Sequence, residues 1–288
     1  MRISAPSRDA LRIEAVIDIP LVGLPHIQKL VDRSLARDLQ HIYGDVGDDS
    51  LLSSDSLSYP QMVSAAADAL QRDGLLEQVR FVVLAIATPD SQHQRLLGGY
   101  ANQRFPSRPD VFAVAEQGAA GPFTAIALAG VRLESTQDRA VVLVLEQTAL
   151  PPGRTPRPSR DSAVAVVLRR SGPGCIIGSL SVERRSASDT SAPTTSGGGG
   201  ERPVERASAA TTISGCSVPG VGGLRPAHDS VATGVFARLA SVWEEAASRE
   251  PIEVVEHDQV LGYACRLTLD QTLTAGLALA QPQEAASV

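Results

Sequence analysis

The stretch Val111–Gly130, VFAVAEQGAAGPFTAIALAG, narrows the folds open to this chain more than any other. Val111–Ala115 is short, apolar and partly β-branched, the composition of a buried strand. Glu116–Pro122 follows as a tight turn of small residues with two glycines. Phe123–Gly130 then has helical composition, with Gly130 set to help end the helix. A strand, a sharp small-residue turn and a helix in succession make a nucleophile-elbow geometry, which holds one side chain at a helix N-terminus. The residue at that tip is Ala119, which cannot attack anything, and Gly118 or Ala120 would serve no better. The turn's N–H groups over Gly118–Gly121 remain candidates to hold an oxyanion.

The elements around the elbow alternate in type. Leu11–Ile19 reads as a strand stopped by Pro20, and Leu24–Gln40 has a helical period. Asp45–Ser58 is acidic and serine-rich, a loop. Tyr59–Gly74 (YPQMVSAAADALQRDG) reads as a helix with Pro60 in its first turn and Gly74 at its C-terminal cap. Phe81–Ala87 is a fully apolar run of strand length, as a strand covered on both faces requires. Ser91–Arg108 is polar, glycine-containing and basic, and reads as a surface loop. Arg139–Glu146 and Asp161–Arg170 read as further strands, and Ser171–Gly174 as a hairpin turn into Ile176–Glu183. Ser186–Arg206 includes four consecutive glycines and cannot bury enough apolar surface to order itself. Helical periodicity returns over Ser230–Arg249, where Asp229 or Ser230 could cap the start. Ile252–Val255 and Tyr263–Leu269 then read as two strands joined by Glu256–Gly262. Helices alternating with buried strands argue for a layered α/β fold.

The elbow, Tyr59–Gly74, Arg80–Asp90 (RFVVLAIATPD), Arg139–Glu146 and Asp161–Arg170 together resemble the ketoacyl-ACP synthase III branch of the thiolase-like superfamily. In that family a strand leads into a Cys-x-Gly-Phe-like turn whose cysteine carries the acyl group. This chain has Ala119-Ala120-Gly121-Pro122-Phe123 there, without the cysteine and with an extra proline. The resemblance implies a thiolase-like α-β-α layered fold: a fairly complete N-terminal half over 1–185, a flexible Gly/Ser-rich linker over 186–223 and a reduced C-terminal half over 224–288. It also implies that Ser91–Arg108 approaches a dimer two-fold, with His93 and Arg95 facing a partner. Phe112 and Val114 would supply a strand edge to the same interface.

The family's reaction further needs a histidine with an asparagine, or two histidines, from the C-terminal half. The segment of the first would fall in Ser186–Gly223, which contains no histidine. His228 opens a small-residue helix and is the best remaining candidate; a helix N-terminus would keep its imidazole neutral. His257 follows an apolar strand but falls in the turn after it, and is weaker. Cys175, Cys216 and Cys265 lie far apart with no histidine at a recognisable spacing, so no catalytic thiol and no metal site is expected. The glycine clusters do not link a strand to a helix, so no nucleotide cofactor is expected either.

A net charge of −6 argues against a nucleic-acid partner, although Arg154, Arg157 and Arg160 could meet an acidic acyl carrier protein or the phosphate of an acyl-CoA. Met1–Ala10 has no apolar core of a signal peptide, and no run reaches the ~20 apolar residues of a membrane helix. The expectation is a cytoplasmic protein. Taken together, the resemblance implies a non-catalytic subunit that pairs with an active ketosynthase chain in polyketide or fatty-acyl-derived biosynthesis. The short, cysteine-less subunit of the alkylquinolone-forming ketosynthase heterodimer is similar in arrangement. The alternatives are an independent acyltransferase or hydrolase with another nucleophile, and an acyl-binding structural protein.

Overall fold

The computed structural model describes residues 2–4, 10–26, 56–87, 96–148, 158–184, 211–215, 223–246 and 251–270. All but the first three residues of the helix expected over Leu24–Gln40, the His93 and Arg95 expected to face a partner, Arg154, Arg157, Cys216 and most of the expected linker lie outside them.

Ten strands join by hydrogen bonding: β1 (Arg2–Ser4), β2 (Arg12–Asp18), β3 (Val79–Ile86), β4 (Asp110–Ala115), β5 (Arg139–Glu146), β6 (Ser162–Arg169), β7 (Cys175–Arg184), β8 (Thr211–Ser214), β9 (Ile252–Asp258) and β10 (Tyr263–Asp270). Among the described residues four helices accompany them: α1 (Tyr59–Arg72), α2 (Leu97–Arg104), α3 (Gly121–Arg132) and α4 (Thr233–Ala246). The strand order is β4-β3-β5-β6-β2-β7-β10-β9-β8, with β1 also paired to β7.

That order is an internal two-fold. Reflected about the β2–β7 pair, β6 matches β10, β5 matches β9 and β3 matches β8. The directions match as well: β3–β5 and β8–β9 are parallel, while β5–β6 and β9–β10 are antiparallel. Each half inserts a helix before its β5 or β9 strand, α3 in the first and α4 in the second. Among the described residues β4 has no strand counterpart. On the matching edge Leu224 alone forms a parallel bridge to Ile213, exchanging hydrogen bonds with Thr212 and Ser214 at 2.8 and 3.0 Å.

Strands with two apolar faces need cover on both. The inward residues of β3, β5 and β6 alternate between two cores. One face packs on α1 and α2 through Met62, Val63, Leu70, Leu97 and Phe105. The other packs on α3 and α4, which also meet residues of β7, β9 and β10 and so lie between the two halves. There Phe123 of α3 meets Phe236 of α4 edge to face, with ring centroids 5.3 Å apart. Burying each ring contributes about 1.5–3 kcal/mol. Removing either would leave a cavity costing about 3–5 kcal/mol.

Several sequence expectations are revised. Ser91–Arg108 contains a helix, α2: Leu97 and Ala101, with Phe105 just past the end, repeat at every fourth position and bury one stripe despite Gly98-Gly99. Ser171–Gly174 does not turn a hairpin, because β2 runs between β6 and β7; Ile13 pairs with both Leu168 and Cys175. Gly130 does not end α3, which runs on to Arg132; it lies against Leu11, where a Cβ would collide with that side chain. Within the expected linker, Thr211–Ser214 is a strand. The second strand pair is longer than its apolar run, since β9 continues through His257 to Asp258.

Candidate functional site

The C-terminal ends of β4, β5 and β9 meet the N-termini of α3 and α4 between the halves. Here β4 ends and the chain turns sharply, with Glu116 at φ +60° and Gly118 at φ +50°, into one 3-10 turn over Gly118–Ala120. Non-glycine residues seldom adopt such an angle, so the elbow is a strained turn of the expected kind. Pro122 fits because the first helical turn has no partner for its missing N–H.

Ala119 is buried at the tip, and its N–H donates to Oδ2 of Asp258 at 3.0 Å. Asp258 is the last residue of β9, and its Oδ1 accepts the N–H groups of Val260 and Leu261 at 3.0 and 2.8 Å. Two further elbow donors are also used. Ala120 donates to the carbonyl of Gln117 at 3.0 Å, and Gly121 to that of Gly118. An oxyanion hole drawing on Ala119, Ala120 and Gly121 would need donors that this turn has already committed.

The internal two-fold extends to this capping. Glu146 is the last residue of β5, the counterpart of β9, and it caps the other helix. Its carboxylate accepts the N–H groups of Val231, Ala232 (3.2 Å) and Thr233 (3.0 Å), and the Thr233 hydroxyl at 2.7 Å. Ser230, one of the two caps expected, accepts from Gly234 at 2.6 Å. Burial raises the Glu146 carboxyl above its ordinary value, and these four donors offset part of that rise. The donors and the positive helix end favour the carboxylate, which only accepts hydrogen bonds. Each half thus lends the last residue of a central strand to the helix of the other half.

Glu256, two residues before Asp258 and on the same face of β9, is buried within electrostatic reach of Asp258 and Glu146. Burial, opposed by the His257 N–H at 2.9 Å and reinforced by Asp258 and Glu146, raises its carboxyl to about 7. A Cβ on Gly215 would overlap this carboxyl. Cys265 is buried on β10, and burial first, then Glu256 and Asp258, raises its thiol to about 12. Cys175 is also buried, with its thiol shifted upward by burial. Neither offers a thiolate near neutral pH.

His228 lies at the rim. Arg160 can only donate, so its contact with Nδ1 at 3.2 Å fixes a neutral tautomer with the proton on Nε2. Nε2–H then donates to the Thr233 hydroxyl at 3.2 Å, as does Ser162 at 2.6 Å, and Thr233 passes its own proton toward Glu146. Burial, then Arg160, lowers His228 to about 4 against the opposing charge of Asp229. The imidazole is neutral, chiefly through desolvation, and its orientation leaves no free acceptor for a base. His257 sits within β9 rather than in a turn. Alternation along the strand turns it to the face opposite Glu256 and Asp258. The site residues that sequence reasoning missed are therefore acids: Glu146, Glu256 and Asp258.

Phe112 and Val114 of β4 pack toward the core shared with α3, and Arg132 lies over the rings of Phe81 and Phe112 at 5.2 and 5.3 Å. The edge of β4 away from β3, unpaired among the described residues, is backbone flanked by exposed Ala113 and Ala115. Arg160 is engaged with Asp18 at 3.5 Å as well as with His228. Among the described residues no metal-binding group of histidine, cysteine and acid side chains is assembled, and no helix is long and apolar enough to cross a membrane.

No family model matches the sequence, and no curated protein matches it. Solved structures do match. The tetronic acid condensing enzyme AbyA1 superposes with a TM-score of 0.57 at 15% identity, over 90% of this chain and 99% of that one. The 3-oxoacyl-[acyl-carrier-protein] synthase III of Aquifex aeolicus VF5 gives 0.56 at 14% identity, over 90% and 99%. The priming β-ketosynthase of a polyketide biosynthetic pathway gives 0.53 at 15% identity, over 93% and 98%.

Proposed function

We propose that this chain, which has the thiolase-like fold of synthase III-type condensing enzymes, is a non-catalytic subunit that pairs with an active ketosynthase or acyltransferase chain in polyketide or fatty-acyl-derived biosynthesis. The observation that carries the reading is the elbow itself. Its tip is Ala119, and the N–H of that residue is committed to Asp258. An acyl group has no nucleophile to join there, and a developing oxyanion has no unoccupied donor among Ala119, Ala120 and Gly121.

The sheet edges support the pairing half of the proposal. The β8 edge is partly filled by Leu224, whereas β4 hydrogen bonds only to β3 among the described residues. An unpaired edge is a template for another strand. An active ketosynthase chain would add its equivalent strand to β4, with His93 and Arg95 of the preceding segment as further contacts and acyl carrier protein or acyl-CoA delivered to the partner. Among the matched structures are a tetronic acid condensing enzyme and a priming β-ketosynthase, in keeping with that setting.

The test is co-expression with a neighbouring ketosynthase-like gene that retains its cysteine, followed by size-exclusion chromatography with light scattering. Co-elution at the mass of a heterodimer is the expected result. A lone monomer or homodimer in the presence of that chain would contradict it.

A further inference from the structure

The missing cysteine is one reason for the elbow to be silent; the structure contains a second. Asp258 is buried and held from three sides by the N–H groups of Ala119, Val260 and Leu261. It fills the space directly in front of the turn. Gly118 has φ +50° and its α-carbon abuts Asp258 Oδ2, so a Cβ there would overlap that oxygen and crowd Leu261. The ends of both α3 and α4, where an anion from substrate would otherwise be attracted, carry a carboxylate from the opposite half of the same chain.

We infer that Asp258 is a built-in anionic plug, which occupies the elbow's anion position and would hold a thiol at residue 119 in its protonated, unreactive form. The inference rests on reading Ala119 as the position of the family's acyl-carrying cysteine. A helix N-terminus on its own lowers a thiol below its ordinary value near 8.5. A carboxylate bonded to the N–H of the same residue lies within one side chain's reach of the sulfur and acts in the other direction, as like charges do. In this buried space the carboxylate opposes a thiolate with little screening, and Glu256, Glu146 and the Cys265 thiol are the other titratable groups gathered around it. Cys265 shows the same effect on a native thiol: burial raises it first, and Glu256 and Asp258 raise it further. The plug would act on whatever reaches the elbow. An acyl thioester oxygen or a malonyl-type carboxylate would face a fixed negative charge in place of open N–H donors.

The test is the thiol titration of Ala119→Cys, read by peptide-resolved alkylation with iodoacetamide across pH, which separates residue 119 from the three native cysteines. In Ala119→Cys alone the midpoint should lie above about 8.5. Adding Asp258→Asn should lower it by at least about one pH unit, giving roughly tenfold faster alkylation at pH 7. Midpoints within about 0.3 of each other, or a midpoint already below about 7.5 in the single variant, would overturn the plug. Should the asparagine variant fail to fold, Asp258→Ser keeps an acceptor for the Val260–Leu261 turn and makes the same comparison. A purely structural role for Asp258 would change stability in these variants without moving the midpoint. No partner chain enters the measurement, so its outcome is separate from whether the protein forms a heterodimer.

Discussion

The carboxylate of Asp258 receives the backbone N–H of Ala119 across 139 residues of chain, at 3.0 Å and out of solvent. Glu146 receives the N–H of Thr233 across 87 residues at the same distance. These two bonds are related by the two-fold that organises the strand order, and they tie each half of the molecule to the helix of the other. They secure the fold at the N-termini of its two central helices.

Replacing Glu146 with glutamine should cost about 2–4 kcal/mol, because a charged acceptor for three N–H groups and a hydroxyl gives way to an amide that brings its own donor into a buried space. Urea unfolding monitored by circular dichroism reads the loss. A change below about 0.5 kcal/mol would show that the cap is dispensable.

Gly118→Ala should destabilise by a similar ~2–4 kcal/mol, since φ +50° and the Asp258 carboxylate both resist a Cβ. Because the two residues touch, the cost should shrink when Asp258 is also made smaller. Additive losses in the Gly118→Ala/Asp258→Ser double variant would count against the contact.

Glu256 makes the fold pH-dependent in a definite direction. Its carboxyl sits at about 7 in the folded chain against an ordinary 4.5, so between those values the folded state binds the proton more tightly than the unfolded state does. Its favourable contribution is therefore fully present below about 4.5 and is lost as pH rises through about 7. At 1.36 kcal/mol per pH unit the interval corresponds to about 3 kcal/mol. Glu256→Gln should flatten the decline between pH 5 and about 8 and be the more stable protein at the upper end. Parallel stability–pH curves for the two proteins would refute the assignment.

Much of the architecture was legible locally, and the exceptions share a cause. The strand β5 stands where RAVVLVLE ends in a charge, and α1 where Ser58 and Gln61 form a capping box. By contrast β9 reads as stopping at Val255, because Glu256 and Asp258 look like turn residues. Their inward alternation is sustained by partners far away in sequence, which no local pattern contains. The helix α2 was hidden by Gly98-Gly99, whose low propensity is overridden by the buried stripe from Leu97 to Phe105. A single clue to the site was present: an acid closing an otherwise apolar strand, as Glu146 does, needs donors that only another segment can bring.

His228 should remain neutral throughout the physiological range. With the ring lowered to about 4 by burial and by Arg160, its carbon-bound proton resonances should not shift between pH 5.5 and 8. A midpoint near the ordinary 6.5 would contradict the buried, Arg160-fixed tautomer.

The edge of β4 should tolerate charge until a partner is present. Ala113→Lys, at an exposed position on that strand, should change folding stability by less than about 0.5 kcal/mol while weakening heterodimer formation at least about tenfold. Titration followed by light scattering distinguishes this from an edge that takes no part in pairing.

The most direct measurement is amide hydrogen exchange across Asp110–Ala115 in the isolated chain and in the co-expressed pair. Pairing through β4 predicts at least about tenfold slower exchange at alternate amides of that strand in the pair, with β3 protected in both samples. Identical β4 exchange in the two samples, or protection confined to other elements, would contradict a subunit that docks by this edge.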